Sequence, residues 1–234
     1  MQPHRYCPGC GHIAISKIVE EELINRKGIL VGTVGCSVAL PDLFEVVDAV
    51  SAAHGRGLSI ATALRRCLPD TPLIVYAGDG DCTTIGIGEL VNTILRNERL
   101  VCVLINNQIF GMTGFQMSSQ TPIGAKTKTT VTGRDESCHG IPLNVKLLMK
   151  QNPKAKHYLT HAAGRDGIDL FKKQLKEAMD YDGFSLIEVI SPCVTLFANA
   201  KKAYENALKQ YEEKSKEEKR NCTCNIKSKE YWEL

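Results

Sequence analysis

The sequence predicts an α/β fold, a mostly parallel sheet flanked by helices. Three observations carry this. Short apolar runs recur and end in glycine- or asparagine-rich turns; amphipathic helical spacing separates them; and the residues with chemical potential fall just past the ends of the runs. Turns at the carboxyl ends of parallel strands are where such sheets bind ligands.

The elements follow in order. "IAISKIVEEELI", 13–24, sets Ile13, Ile18 and Leu23 among polar residues and predicts a helix. "GILVGTVGCS", 28–37, predicts a buried strand ending in a glycine turn. "HGRGLSIATALRRCL", 54–68, is a glycine-rich entry into a helix, and "TPLIVYAGDGD", 71–81, a strand running into a sharp turn. A helix at 85–97 and a strand "LVCVLINN", 100–107, come next. Residues 111–165, rich in Thr, Gly and Pro, predict a long irregular stretch with one short helix near 143–150; such stretches are more often functional than idle. A helix at 167–182 and a strand "FSLIEVISPC", 184–193, complete the sheet. The run "AKKAYENALKQYEEKSKEEKR" is a charged helix with a solvated face, leading into a tail. We expect residues 1–200 to form the site-bearing domain and 201–234 to form this helix and tail.

Composition narrows the function. The chain has 234 residues and a net charge of +3 with both signs interspersed, which argues against a nucleic-acid surface. Its apolar runs are far shorter than the ~18 residues needed to span a bilayer. The first residues lack a charged segment followed by an apolar one, so no leader peptide and a cytoplasmic location are expected. Ten cysteines in a reducing compartment predict free or metal-bound thiols rather than disulfides. Cys67 and Cys102 lie in or beside apolar stretches and are expected to be buried as small hydrophobes. Cys222 and Cys224, in "CTC", are expected to be exposed thiols of the tail.

Two turns suggest a divalent cation. "GDGD", 78–81, offers the Asp79 carboxylate; "NN", 106–107, offers the Asn107 amide oxygen; the Ile109 carbonyl is a third oxygen just beyond. Hard oxygen donors with positions left open suit Mg²⁺ bridging to phosphates. Gly78 and Gly80 allow close backbone approach, and the helix N-terminus that follows favours an anion. The bland alternative is a pair of tight turns with no ligand. The spacing from GDG to Asn-Asn resembles the fingerprint of thiamine diphosphate enzymes.

A second cluster of chemistry begins at "YCPGCGH", 6–12, where Cys7 and Cys10 form a C-x-x-C. Cys36 in "GTVGCS" and Cys193 in "ISPC" sit at strand ends on the same predicted edge. Four thiolates there could hold zinc, an iron–sulfur cluster or no metal at all, and the residues alone do not choose among these.

Taken in order, "CPGCGH", "GCS", "HGR", "GDGD", "NNQIFGMTG" and "SPC" resemble the β subunits of 2-oxoacid:ferredoxin oxidoreductases over roughly residues 5–195. The resemblance implies the thiamine diphosphate-binding fold and an enzyme that oxidatively decarboxylates a 2-oxoacid with coenzyme A, passing electrons to ferredoxin. It implies a 4Fe-4S cluster on Cys7, Cys10, Cys36 and Cys193, and Mg²⁺ on Asp79, Asn107 and the Ile109 carbonyl. Val34, Gly35, Cys36, Ser37, His54, Gly80 and Gly111 would lie against thiamine diphosphate. A glutamate that activates the cofactor would come from a separate α subunit, with ferredoxin-like and γ subunits as further partners. Within this chain, Glu45 and Glu89 are the glutamates with motif context. "QMSSQTPIGAKTKTT…GRD" is more like the branched-chain (2-oxoisovalerate) members than the 2-oxoglutarate or pyruvate ones. Relatives often carry a second glycine where Phe115 stands, and a histidine where Asn92 stands. Two other readings compete: a non-oxidative thiamine diphosphate decarboxylase or synthase, and a zinc-stabilised binding module without catalysis.

Overall fold

The structure is a computed structural model and describes residues 6–39, 47–196 and 200–223. Helix α1 (His12–Arg26) is closed by Lys27, whose left-handed backbone turns its N–H back onto Ile24 and Leu23 carbonyls. Strand β1 (Ile29–Gly32) follows, then a 3₁₀ turn at Cys36–Ala39, strand β2 (Asp48–Ser51) and helix α2 (Gly57–Cys67). Strand β3 (Leu73–Gly78) runs into a π-helical turn at Gly80–Ile85 and helix α3 (Ile87–Arg96). Strand β4 (Val101–Asn106) leads to a small hairpin, β5 (Ile109–Phe110) with β6 (Gln116–Met117). Short helices α4 (Glu136–His139) and α5 (Val145–Met149) interrupt the irregular stretch. Strand β7 (Lys156–His161), helix α6 (Gly164–Asp180), strand β8 (Ser185–Ile190) and helix α7 (Ala200–Thr223) complete the chain.

Six parallel strands form one sheet in the order β2-β1-β3-β4-β8-β7. Every residue of the central strands β4 and β8 is buried, which explains their nearly unbroken apolar sequences. Side-chain alternation divides the core between two faces. Ile74, Tyr76, Val103 and Ile187 meet Ile15, Val19 and Leu23 of α1 and Phe171 and Leu175 of α6. Val75, Ala77, Cys102, Leu104 and Leu186 meet α2, α3 and α5 through Leu58, Leu90, Ile94, Val145 and Met149.

The register places Gly78 beside Ile105, and Asn106 beside Ile190. The segments that follow β1, β3, β4 and β8 therefore all leave from one edge of the sheet, as expected from the sequence.

Three features differ from the sequence reading. The sheet gains β2 and β7, its two outer strands, whose half-polar sequences "DAVS" and "KHYLTH" lack an apolar run. Cys102 is buried as expected, but Cys67 is exposed. It lies about two and a half helical turns from Leu58, on the side of α2 opposite the buried Leu58, Ala61 and Thr62. Helix α7 is charged and largely solvated, yet one face docks: Ala207 is buried against Leu159, Ala163 and Ile190. No helix among the described residues is long and apolar enough to cross a membrane.

Candidate active site

The edge beyond β1, β3 and β4 carries an open cleft. Val34, Gly35, Cys36 and Ser37 line it from the β1 turn, and His54 from the loop before α2. Gly78, Gly80 and Asp81 line it from the β3 turn, and Asn107, Ile109, Phe110 and Gly111 from the β4 turn. The seven residues assigned by resemblance to the cofactor thus share one cleft.

Asp79 lies fully buried, between the glycines that line the cleft. Its Oδ1 accepts the Asn107 N–H at 3.2 Å and its Oδ2 accepts the Ser118 hydroxyl. These donors are neutral, and burial pushes the carboxyl up to about 7 against the hydrogen bonds that hold it down. The Asn107 Oδ1 accepts the Ile109 N–H at 3.2 Å, which orders the turn between the two proposed ligands. A buried carboxylate, an amide oxygen and a carbonyl form a hard-oxygen donor set that fits Mg²⁺.

The turn after Asp79 is a π-helical segment, a form that recurs at functional sites. Gly80 is needed there because a Cβ would stand 2.6 Å from the Phe110 ring. Asp81, the second aspartate of GDGD, was not singled out from sequence. Buried, it accepts the Gly55 N–H at 2.9 Å and bonds His54 Nδ1 at 2.5 Å, so it orients the imidazole at the cleft. Its position in the motif was the available signal.

Arg134 was likewise missed as an organiser of the irregular stretch. Only 4% exposed, it donates to the carbonyls of Ser119, Thr121, Gly140 and Ile141 at 2.6–3.1 Å. It thereby folds the segment that delivers Ser118 to Asp79. Phe115 has φ of 68°, a left-handed conformation that costs a bulky residue.

The four cysteines converge near the same edge. The C-x-x-C loop closes with Cys10 N–H on the Cys7 carbonyl at 3.0 Å. Gly11 lets this loop lie on the β8 end, since a Cβ would stand 2.4 Å from Ser191 Oγ and 2.6 Å from Ala162 Cβ. Thr195 donates its hydroxyl to Cys7 Sγ at 3.3 Å, tying the loop to the segment just past Cys193. Burial, opposed by the His12 backbone hydrogen bond and aided by Cys36, Cys193 and Cys7, raises the Cys10 thiol to about 12. Burial, then Cys193, Cys7 and Asp79, lift Cys36 to about 11. Cys10 and Cys36 are thus each raised by neighbouring thiols, and a metal binding them would have to displace their protons. No group of three or more His, Cys, Asp or Glu among the described residues has the arrangement of a site for a metal ion. A Cβ at Gly111 would lie 3.6 Å from Cys36 Sγ and 3.8 Å from Asn107 Nδ2, so the thiol set and the oxygen set are neighbours.

Glu89 pairs with Arg56 and is not among the residues lining the cleft. Glu45 and Cys224 lie outside the described residues, as does the side chain of Cys222.

Residues 34–189 match the family profile of the thiamine pyrophosphate enzyme C-terminal TPP binding domain. The chain is 33% identical over 219 residues to the ketoisovalerate oxidoreductase subunit VorA of Methanothermobacter thermautotrophicus, covering 89% of this chain and 46% of that protein. It is 34% identical to the 2-oxoglutarate synthase subunit KorB of Archaeoglobus fulgidus, over 83% of this chain and 72% of that one. A solved 2-oxoglutarate:ferredoxin oxidoreductase from Magnetococcus marinus, with 2-oxoglutarate, coenzyme A and succinyl-CoA bound, superposes with a TM-score of 0.74 at 28% identity. That match covers 82% of this chain and 65% of the other. The chain spans about half the length of the VorA subunits.

Proposed function

We propose, from the premise that this chain belongs to the family of 2-oxoacid:ferredoxin oxidoreductase β subunits, that it is the catalytic subunit of such an enzyme. The complete complex would oxidatively decarboxylate a 2-oxoacid with coenzyme A and deliver the electrons to ferredoxin. The observation that carries the reading is the adjacency of the two donor sets: Gly111 lies against both Cys36 and Asn107. A thiol-bound electron acceptor there would be next to the carbon chemistry it drains.

Asp79, Asn107 and the Ile109 carbonyl would hold Mg²⁺ at the diphosphate end. Val34, Gly35, Ser37, Gly80 and Gly111 would wall the cofactor, while Asp81 keeps His54 oriented towards it. Cys7, Cys10, Cys36 and Cys193 would hold a 4Fe-4S cluster. When bound, thiamine diphosphate supplies the carbon nucleophile for decarboxylation, and the cluster supplies one-electron acceptance. Asp81 is the carboxylate among the cleft-lining residues, and it is already engaged by His54 and Gly55. The carboxylate that activates the cofactor is therefore assigned to an α subunit packed over the cleft.

A branched-chain 2-oxoacid is the favoured substrate, supported by the loop at 116–135 and the VorA relative. We place the protein in the cytoplasm, where thiols stay reduced. Anaerobic purification with its partner tests the reading: iron and acid-labile sulfide near four each per chain, and viologen reduction that requires both a 2-oxoacid and coenzyme A. Colourless protein containing zinc would overturn it.

A further inference from the structure

Helix α7 holds the residues on both sides of Asn107. On the N-terminal side, Asn106 Nδ2 donates to Glu188 Oε1 at 2.7 Å, and Lys214 of α7 pairs with that same oxygen. On the C-terminal side, Gln108 and Gln210 of α7 bond reciprocally: Gln108 Nε2 donates to Gln210 Oε1, and Gln210 Nε2 donates back at 3.3 Å. Gln108 sits in the left-handed region with φ of 69°, a conformation that persists only where its surroundings hold it. Its carbonyl is held by the Thr121 hydroxyl, and its side chain by α7. The helix is seated by Ala207 and by Tyr211, whose ring meets His161 edge-on at 4.7 Å.

We propose that α7 is a positioning element for the cation-binding turn, with Gln210 and Lys214 fixing the backbone that presents Asn107 and the Ile109 carbonyl. This rests on the reading of that turn as the Mg²⁺ and thiamine diphosphate site. Neither positioning residue touches the cofactor; each acts through a neighbour of a proposed ligand.

The test uses the assembled complex stripped of cofactor and titrated calorimetrically with thiamine diphosphate at several Mg²⁺ concentrations. Gln210→Ala should weaken the Mg²⁺-dependent binding about fivefold, on the order of one net hydrogen bond, while the unfolding temperature of the stripped complex stays near that of the wild type. Gln210→Glu keeps an acceptor for Gln108 Nε2 and should bind more tightly than Gln210→Ala. Glu205→Ala, on the exposed side of α7, should match the wild type. Unchanged affinity in Gln210→Ala overturns the proposal, whether or not the unfolding temperature falls. A wild-type complex with no Mg²⁺-dependent binding would overturn the cofactor reading itself.

Discussion

Cysteine chemistry in this chain is decided by where each thiol sits relative to a strand end. Cys36 and Cys193 follow β1 and β8, and Gly11 lets the C-x-x-C loop approach the same edge. Replacing Cys7, Cys10, Cys36 or Cys193 with Ala should therefore remove most of the iron, measured per chain on anaerobically purified protein. Cys67→Ala, on the solvent side of α2, should remove none; full iron in Cys193→Ala would take that residue out of the set. Asp79 makes a second prediction, through its proton. Its folded value is raised above the ordinary 3.8 to about 7 by burial. In the metal-free chain its contribution to stability is thus fully present below about pH 4 and is lost as pH rises towards 7. Asp79→Asn keeps the side-chain shape and stays neutral. Metal-free Asp79→Asn should unfold at a higher temperature than wild type at pH 8, and at the same temperature below pH 4. It should also bind Mg²⁺–thiamine diphosphate at least about tenfold more weakly, because the charged ligand is gone. A wild-type pH profile in this variant would refute the assignment.

At the scale of elements, legibility followed burial. Strands β1, β3, β4 and β8 were readable because burial on both faces demands continuous apolar sequence, and α6 because one face is apolar at helical spacing. Strands β2 and β7 were not, because outer strands need not be apolar throughout. The docking face of α7 was hidden for a related reason. Ala207, Gln210, Tyr211 and Lys214 have helical spacing, but two of the four make polar contacts, so no apolar stripe marks the face. Within the site, the GDG and Asn-Asn turns were legible as motifs. Asp81 and Arg134 were not, since their roles are set by their partners, in the loop before α2 for Asp81 and in an irregular stretch without periodicity for Arg134. The stretch at 118–141 is held by the buried Arg134 guanidinium rather than by strand pairing, which is why no periodicity marks it. Arg134→Met should leave several carbonyls unpaired at a cost of about 1–3 kcal/mol each, lowering the unfolding temperature by several degrees. Because the same loop carries Ser118 to Asp79, cofactor affinity should fall with it. Thermal unfolding and cofactor titration of one preparation check both effects; an unchanged melting temperature would show that the loop is held by other means.

For the whole molecule, the proposed function requires a partner over the cleft, and two features support it. The cleft opens beside exposed apolar side chains, Met112 on its wall and Val38 and Ile85 on adjoining turns, each more than 40% exposed. Exposed apolar surface around a cleft is what a covering chain would bury. The carboxylates near the cleft are also committed: Asp81 to His54, Asp79 to the cation turn, and Glu89 to Arg56. Activating thiamine diphosphate requires a carboxyl group that can move a proton at the cofactor's ring, and none of these three is available for it. The expected outcome is that the isolated chain, loaded with cluster, shows no 2-oxoacid-dependent dye reduction. Adding the α subunit should restore turnover, with the rate saturating at equimolar subunits and the exposed apolar rim becoming protected from hydrogen exchange. A variant of the α subunit lacking the activating glutamate should still bind and protect the rim but should not restore turnover, which separates covering the cleft from completing its chemistry. Turnover by the isolated chain, abolished by Glu45→Gln, would show instead that the site is complete within one polypeptide.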